Sequence, residues 1–527
     1  MSALLQLFWR RNRSWMLAWI LIVGLLSAAG PPTYAATYLT DQDRAAATSA
    51  AQHNAATTVL YGRLGSPGTP GQMFSWELGT FLTLIAAVMA VLLAVSLTRR
   101  LDEDSTFELG RGSGLSSRTL AVAAVAFLCA TGFVVGLACT LATGLYTGKI
   151  NGVDWAGAGV LGLVVALTFT VTGMLTALIA QLVPTSRAAA STGGALVAVG
   201  VVIRAVADSG PILWLRWLSP MALRSVADPF MLDRVMALAP ALIETVALAC
   251  VAVAVAQHHD LNASLLHSAS HRSSRLHVHT TYGLVWRLIK ARLYWTTALV
   301  AMGGMGFAYL GSATIDNART GRIGGGLLGA QITGTDPGTK YFVYSGTVLA
   351  LVLSAVTVTL VTQTIRDENS GLAEHIRSTG TRPSALLKAY LLVTLASSIL
   401  ILTLTGLATA LVATSVIPGD QVFGAALHGV VDQWPALALV IACAAVVTAA
   451  IPRAAWLAWL PLAIGGTLTM LGGVFRVPDR IIDLSMFGHT TSGVAPTTGA
   501  APQLILLCLT AAGIMLALAR IGHRDLA

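Results

Sequence analysis

The fold class predicted by this sequence is an all-α polytopic membrane protein. It has twelve transmembrane helices in two tandem six-helix halves, related by a pseudo-twofold axis along the membrane normal. Three observations predict it. The 527 residues are 55% hydrophobic and only 10% charged, whereas roughly a quarter of a soluble chain is Asp, Glu, Lys and Arg. The apolar residues gather into twelve long runs, and a pattern of polar residues returns after 266 positions.

The runs fall at 15–36, 77–98, 119–147, 155–183, 187–207 and 236–256, then at 293–313, 343–364, 384–416, 433–451, 454–475 and 503–521. About 20 residues at about 1.5 Å each cross a hydrocarbon core of about 30 Å. Runs this long and uniformly apolar are helices, because membrane β-strands are short and alternating. Trp9-Arg10-Arg11-Asn12-Arg13 precedes the first run, and Leu284-Val285-Trp286-Arg287 with Lys290 and Arg292 precedes the seventh. Both read as short amphipathic helices at the cytoplasmic interface, the second at about 280–292. The first alone would also suit a secretory signal peptide; its return in mid-chain argues against that.

Twelve crossings put both termini on one side. The termini and the connections on their side hold 20 Lys and Arg against 9 Asp and Glu, and the other side holds 12 against 14. Basic residues near span ends stay inside, so the N- and C-termini are expected in the cytoplasm. The net charge of +9 then reflects topology and an anionic membrane surface, with no nucleic acid needed as partner. All five cysteines lie inside expected spans and read as packing residues.

The repeat sets Arg100 on Arg366, Asp102 on Glu368, Glu108 on Glu374, Arg111 on Arg377, Gly114 on Gly380, and Leu218-Ser219 on Leu484-Ser485. It divides the chain into halves at 1–270 and 271–527, both in the same orientation because six is even. The linker at 257–280 holds six of the eleven histidines, separated mostly by Ser and Ala. No carboxylate or thiolate stands at fixed spacing, so a solvated, weakly basic linker is favoured over a metal site.

Two charged loops interrupt this apolar chain, RLDEDSTFELGRGSGLSSR at 100–118 and RDENSGLAEHIRSTGTRPS at 366–384. In the second, Asp367, Glu368, Gly371, Glu374 and Arg377 recur every three to four residues. That is one acidic-to-basic face of a short helix, ended by Gly380 and Pro383. Such a helix offers fixed charge to a cytoplasmic partner. A plain solvated loop is the alternative, and the recurrence in both halves weighs against it.

Charge inside the membrane is costly and marks candidate pathways. Glu244 lies one turn inside Pro240 in the sixth run, and Arg204 lies near the outer end of the fifth. Glu244 is expected to face the central cleft, pair with Arg204 or receive a cationic substrate; the alternative is that both snorkel to the outer interface. Glu77, at the edge of the second run, is expected at the interface, and Lys388 is expected to snorkel inward. The remaining surface is apolar and aromatic, which suits hydrophobic or amphipathic cargo. A phosphate-cradling loop GxxxxGK[ST] is missing; the nearest string, Gly144 to Ile150, has the wrong spacing and no hydroxyl.

The pattern RDExxGxxExxR, then Ser/Thr-Gly and an Arg-Pro turn, resembles the membrane subunits of type-2 ABC exporters. In its fused twelve-span form the chain is similar to bacterial permeases of antibiotic and multidrug (polyketide) exporters. The resemblance implies the type V exporter fold, in which the loop after the second span of each half is a coupling helix seated on a separate ATPase subunit. Two copies of that subunit would bind ATP and Mg, and the permease would hold no cofactor and carry out no catalysis itself. Carried over, the coupling residues are Asp102, Glu103, Glu108 and Arg111 in the first half, and Asp367, Glu368, Glu374 and Arg377 in the second. The first copy departs from the pattern, with Ser105 in the place of Gly371, so the two loops are not expected to couple equally.

The resemblance also implies re-entrant outer segments between the fifth and sixth spans of each half. The first spans Ile212 to Phe230, with Trp214 and Trp217 suited to an interface and Pro220 and Pro229 as breaks; the second is Val477 to Pro502. A bacterial plasma-membrane location and outward transport of drug-like compounds follow from the same resemblance. The main competitor is a proton-coupled secondary drug transporter, which needs titratable groups deep in the membrane; Glu244 is the strongest such group. A membrane enzyme needs convergent nucleophile, base or metal ligands, and Asp41, Asp43 and Asp316 are scattered.

Overall fold

The computed structural model describes residues 2–53, 55–103, 112, 116–183, 185–210, 212–257, 280–319, 332, 336–369, 371–378, 380–472, 477–489 and 501–522. Every regular element among them is helical. Ten stretches among the described residues are long and apolar enough to cross a membrane, and the chain is a multi-pass membrane protein. It divides into two compact units, Met1–Ser274 and Arg275–Ala527.

The first unit opens with α1 (Ser2–Thr37), followed by the short polar α2 (Asp41–His53) and α3 (Ala55–Tyr61). Next come α4 (Pro70–Leu97), α5 (Arg99–Glu103), α6 (Ser117–Gly144), α7 (Trp155–Leu182) and α8 (Ser186–Ser209). Local chemistry sets the starts. Thr69 and Gln72 close a capping box ahead of Pro70, Asp154 accepts from the Gly157 N–H, and Thr185 accepts from the Ala188 N–H. Two 3₁₀ turns, Leu213–Leu218 and Pro220–Ala222, lead through α9 (Leu223–Ala227) and a 3₁₀ turn, Val235–Leu238, to α10 (Ala239–Gln257).

α7 lies at the centre of this unit, packed by α4, α6, α8 and α10. In lipid there is little hydrophobic drive between helices, so close van der Waals contact does the work, and small residues allow it. α6 and α7 meet at Gly136 and Gly162, where a Cβ on either glycine would run into the carbonyl of the other. Phe74, Leu82, Met89, Val165 and Phe169 fill the core beside them.

The second unit holds α11 (Thr281–Arg319), α12 (Pro337–Val361), α13 (Gln363–Asn369), α14 (Leu372–Ser378) and α15 (Ala385–Val416). α16 (Val422–Val431) and α17 (Trp434–Ala450) follow, then a 3₁₀ turn, Pro452–Trp459, and α18 (Leu460–Leu471). α19 (Asp479–Ile482), a 3₁₀ turn, Met486–His489, and α20 (Ala501–Gly522) complete it. Its core gathers Leu353, Val358, Tyr390, Leu402, Leu437 and Ile441.

Several expectations change. The N-terminal interfacial piece and the first span are one continuous helix, and so are residues 281–292 and the seventh run. No proline or glycine breaks either junction, and Asn12 is buried against α4, where the Ser96 hydroxyl donates to its side-chain oxygen at 2.8 Å. The seventh run, 293–313, lies within α11. The eleventh, 454–475, is split between a 3₁₀ turn, kinked at Ala454, and the twelve-residue α18. Pro452 and Pro461 break the ladder there. The short helices α2 and α3 were not expected from the sequence. The histidine linker lies outside the described residues.

Candidate functional site

The second acidic loop continues α12 with almost no break. α13 starts one residue after α12 ends and is closed by Gly371, whose φ of 77° lies in the left-handed region natural to glycine. α14 then starts anew. The single charged face expected from Asp367 to Arg377 is therefore divided between two short helices meeting at a left-handed corner.

The division sorts the charges. Asp367 turns inward and is 7% exposed; it accepts hydrogen bonds from the Tyr390 hydroxyl at 2.7 Å and from the Gln363 amide at 3.2 Å. Tyr390, on α15, is among the largest fully buried side chains of the protein. Glu368 is half-buried and lines a small recess with Thr364, Arg382, Pro383, Leu386 and Ile521. Glu374 and His375 are exposed, while Ala373 is buried and anchors α14 from below. Arg377 is in α14, and its side chain is not among those described.

In the first loop Asp102 pairs with Arg99, one turn earlier on α5, at 2.7 Å. Glu103 reaches across to the first turn of α8, where it accepts from the Ser186 N–H at 2.6 Å and also from the Ser186 hydroxyl. A carboxylate suits this place, because the first N–H groups of a helix have no intrahelical acceptor and carry partial positive charge. Glu108 and Arg111 lie outside the described residues.

The intramembrane charges do not pair with each other. Glu244 is exposed on the surface of its unit. Arg204 is 3% exposed, and its Nη2 donates to the carbonyls of Val59 at 3.1 Å and Leu60 at 2.6 Å. Arg224 donates to the next carbonyl, Tyr61, at 2.5 Å, and the Trp76 indole donates to Gly62 at 2.7 Å. Arg204 thus neither snorkels nor meets Glu244: with Arg224 and Trp76 it satisfies the carbonyls that the end of α3 leaves without intrahelical donors. Asp208, fully buried, balances the cluster through an ion pair with Arg216 at 2.9 Å and a hydrogen bond from Ser225 at 2.9 Å. Glu77 is not interfacial either. It is buried, and the Tyr34 hydroxyl of α1 donates to it at 2.6 Å.

The segment from Ile212 to Phe230 is a chain of short helical pieces. Trp214 and Trp217 are 63% and 45% exposed, and Pro220 starts the second piece. The Ser219 hydroxyl donates to Gly200 at 2.6 Å and accepts from the Met221 N–H. Ser485 repeats the arrangement in the other unit, donating to Gly465 at 2.8 Å and accepting from the Phe487 N–H. Of the second such segment, 477–502, residues 490–500 lie outside the described residues.

Sequence reasoning missed Asp208, Arg224, Tyr34, Tyr390 and Ser186. For Asp208 a signal existed, since it stands four residues after Arg204 on one helix face. For Tyr390, which meets its partner across 23 residues, there was none.

Residues 278–522 match the family described as "Multidrug efflux system permease Rv1217c, C-terminal domain". Over 540 aligned residues the chain is 27% identical to "Multidrug efflux system permease protein Rv1217c" of Mycobacterium tuberculosis (strain ATCC 25618 / H37Rv). The alignment covers 99% of this chain and 94% of that relative. The resemblance carried by the loop and outer-segment motifs therefore extends from end to end, to a permease of the multidrug-efflux type.

Proposed function

We propose that this homologue of a multidrug efflux permease is the transmembrane subunit of an ATP-driven ABC exporter for hydrophobic or amphipathic compounds. In this reading twelve spans in two pseudo-symmetric halves place both termini in the cytoplasm of a bacterium. Two copies of a separate ATPase subunit, which bind ATP and Mg, dock on the loops near 100–118 and 366–384. The observation that carries the reading is end-to-end similarity to a permease in a chain with no phosphate-cradling sequence of its own.

The geometry supports a division of labour in the second loop. Exposed Glu374 and half-buried Glu368 are the charges a docking partner reaches, whereas Asp367 fixes the loop from within. Across such an interface complementary charge contributes orientation and association rate more than raw affinity.

The test is to solubilise the chain from its native membrane and identify by mass spectrometry what co-purifies, with and without Glu368→Ala and Glu374→Ala. Recovery of a subunit carrying a nucleotide-binding motif, weakened by the two changes, supports docking on this loop. Failure to recover such a subunit in several detergents defeats the ATP-driven reading and favours a proton-coupled transporter.

A further inference from the structure

The 266-residue repeat allows the two acidic loops to be compared position by position, and their internal links differ. Asp367 and Tyr390 in the second unit stand where the first has Leu101 and Ala124, both buried in an apolar core. Glu103 and Ser186 in the first unit stand where the second has Asn369 and Pro452. Proline has no N–H and cannot reproduce the bond that Ser186 donates. Each unit has one link and lacks both residues of the other.

We propose that the two loops pass their movement to different helices: the first to the fifth-span helix α8 through Glu103 and Ser186, and the second to the third-span helix α15 through Asp367 and Tyr390. The inference rests on the ATP-driven reading given above and adds to it that the two strokes are mechanically distinct. Each link has the physical form that transmission needs. The Asp367–Tyr390 bond is charge-assisted and shielded from water, where a hydrogen bond is electrostatically stronger than in solvent. Glu103 holds the backbone N–H at the start of a 24-residue helix, so displacement of α5 draws on the helix axis rather than on a flexible side chain. Tyr390, Asp367, Glu103 and Ser186 are positioning residues, acting through the helices they hold.

The experiment uses the complex of the chain with its ATPase subunit, purified together, and follows hydrogen–deuterium exchange with and without ATP and vanadate. Wild type is expected to show nucleotide-dependent changes in both 186–209 and 385–416. Tyr390→Phe keeps the ring volume and removes only the hydroxyl; it should abolish the change in 385–416 and leave that in 186–209. Glu103→Ala, at an exposed position, should do the reverse. Asp367→Asn, made alone, keeps one oxygen acceptor for Tyr390 but not the charge and should retain part of the 385–416 response, which separates a lost link from a damaged fold.

If both single variants leave both responses intact, or each blunts the two equally, the inference is overturned. If no ATPase subunit accompanies the wild-type chain, the reading beneath it fails first, and the inference falls with it.

Discussion

Asp208 shows how much a single buried carboxylate can carry in this protein. It pairs with Arg216, accepts from Ser225, and sits beside Arg204 and Arg224, whose guanidinium groups hold the end of α3. Removing it leaves several buried cations with their nearest counter-charge gone, and breaking a buried pair from one side typically costs about 3–5 kcal/mol. Asp208→Ala is therefore expected to lower the thermal unfolding temperature of the detergent-solubilised chain markedly. Asp208→Asn, which keeps an acceptor for Ser225, should lower it less. Equal, small shifts would mean that the cluster is not what anchors the end of α3. The residue-level surprise is the fate of Arg204. A charge near a helix end suggests snorkelling when only hydropathy is visible, because the carbonyls that capture it belong to a segment 145 residues away in sequence.

At the scale of elements, the corner between α13 and α14 decides what the second loop presents. Gly371 at a φ of 77° is the position where a Cβ is penalised, by about 1–2 kcal/mol for the left-handed conformation. Gly371→Ala should weaken co-purification of the ATPase subunit while leaving the thermal stability of the membrane core within about 1–2 kcal/mol of wild type. Gly371→Asn, a residue that tolerates the left-handed region, should retain more of the association. If Ala and Asn behave alike, the corner is not what positions Glu374. Elements differed in how readable they were, for physical reasons. Long spans such as α4, α7 and α15 were legible because a run of apolar residues has one stable form in lipid. The break at Gly371 was hidden by an intact i, i+3, i+4 pattern of charge, which records a face but not a backbone reversal. α2 was illegible because it is short and polar, and α3 because it has only seven residues; the carbonyls at the end of α3 are held by Arg204 and Arg224, far off in sequence, and its Tyr61 packs on Trp76 and Phe81.

For the whole molecule, the central claim is that transport is driven by ATP hydrolysis on a separate subunit and not by the proton gradient. The buried carboxylates do not by themselves decide between the two drives. Glu77 is engaged by Tyr34 and Asp208 by Arg216, so both already serve as packing partners inside the first unit. In the proposed ATP-driven reading the paired loops at 100–118 and 366–384 are docking elements, a task that a proton-driven transporter does not give them. The most direct measurement takes inside-out membrane vesicles containing the chain and its co-purifying subunit, and follows uptake of a fluorescent cation such as ethidium. Supplying ATP with a protonophore present isolates one drive, and imposing a proton gradient without ATP isolates the other. Uptake that requires ATP, survives the protonophore and is stopped by vanadate is the predicted result. Uptake that follows the proton gradient and ignores ATP would contradict the account.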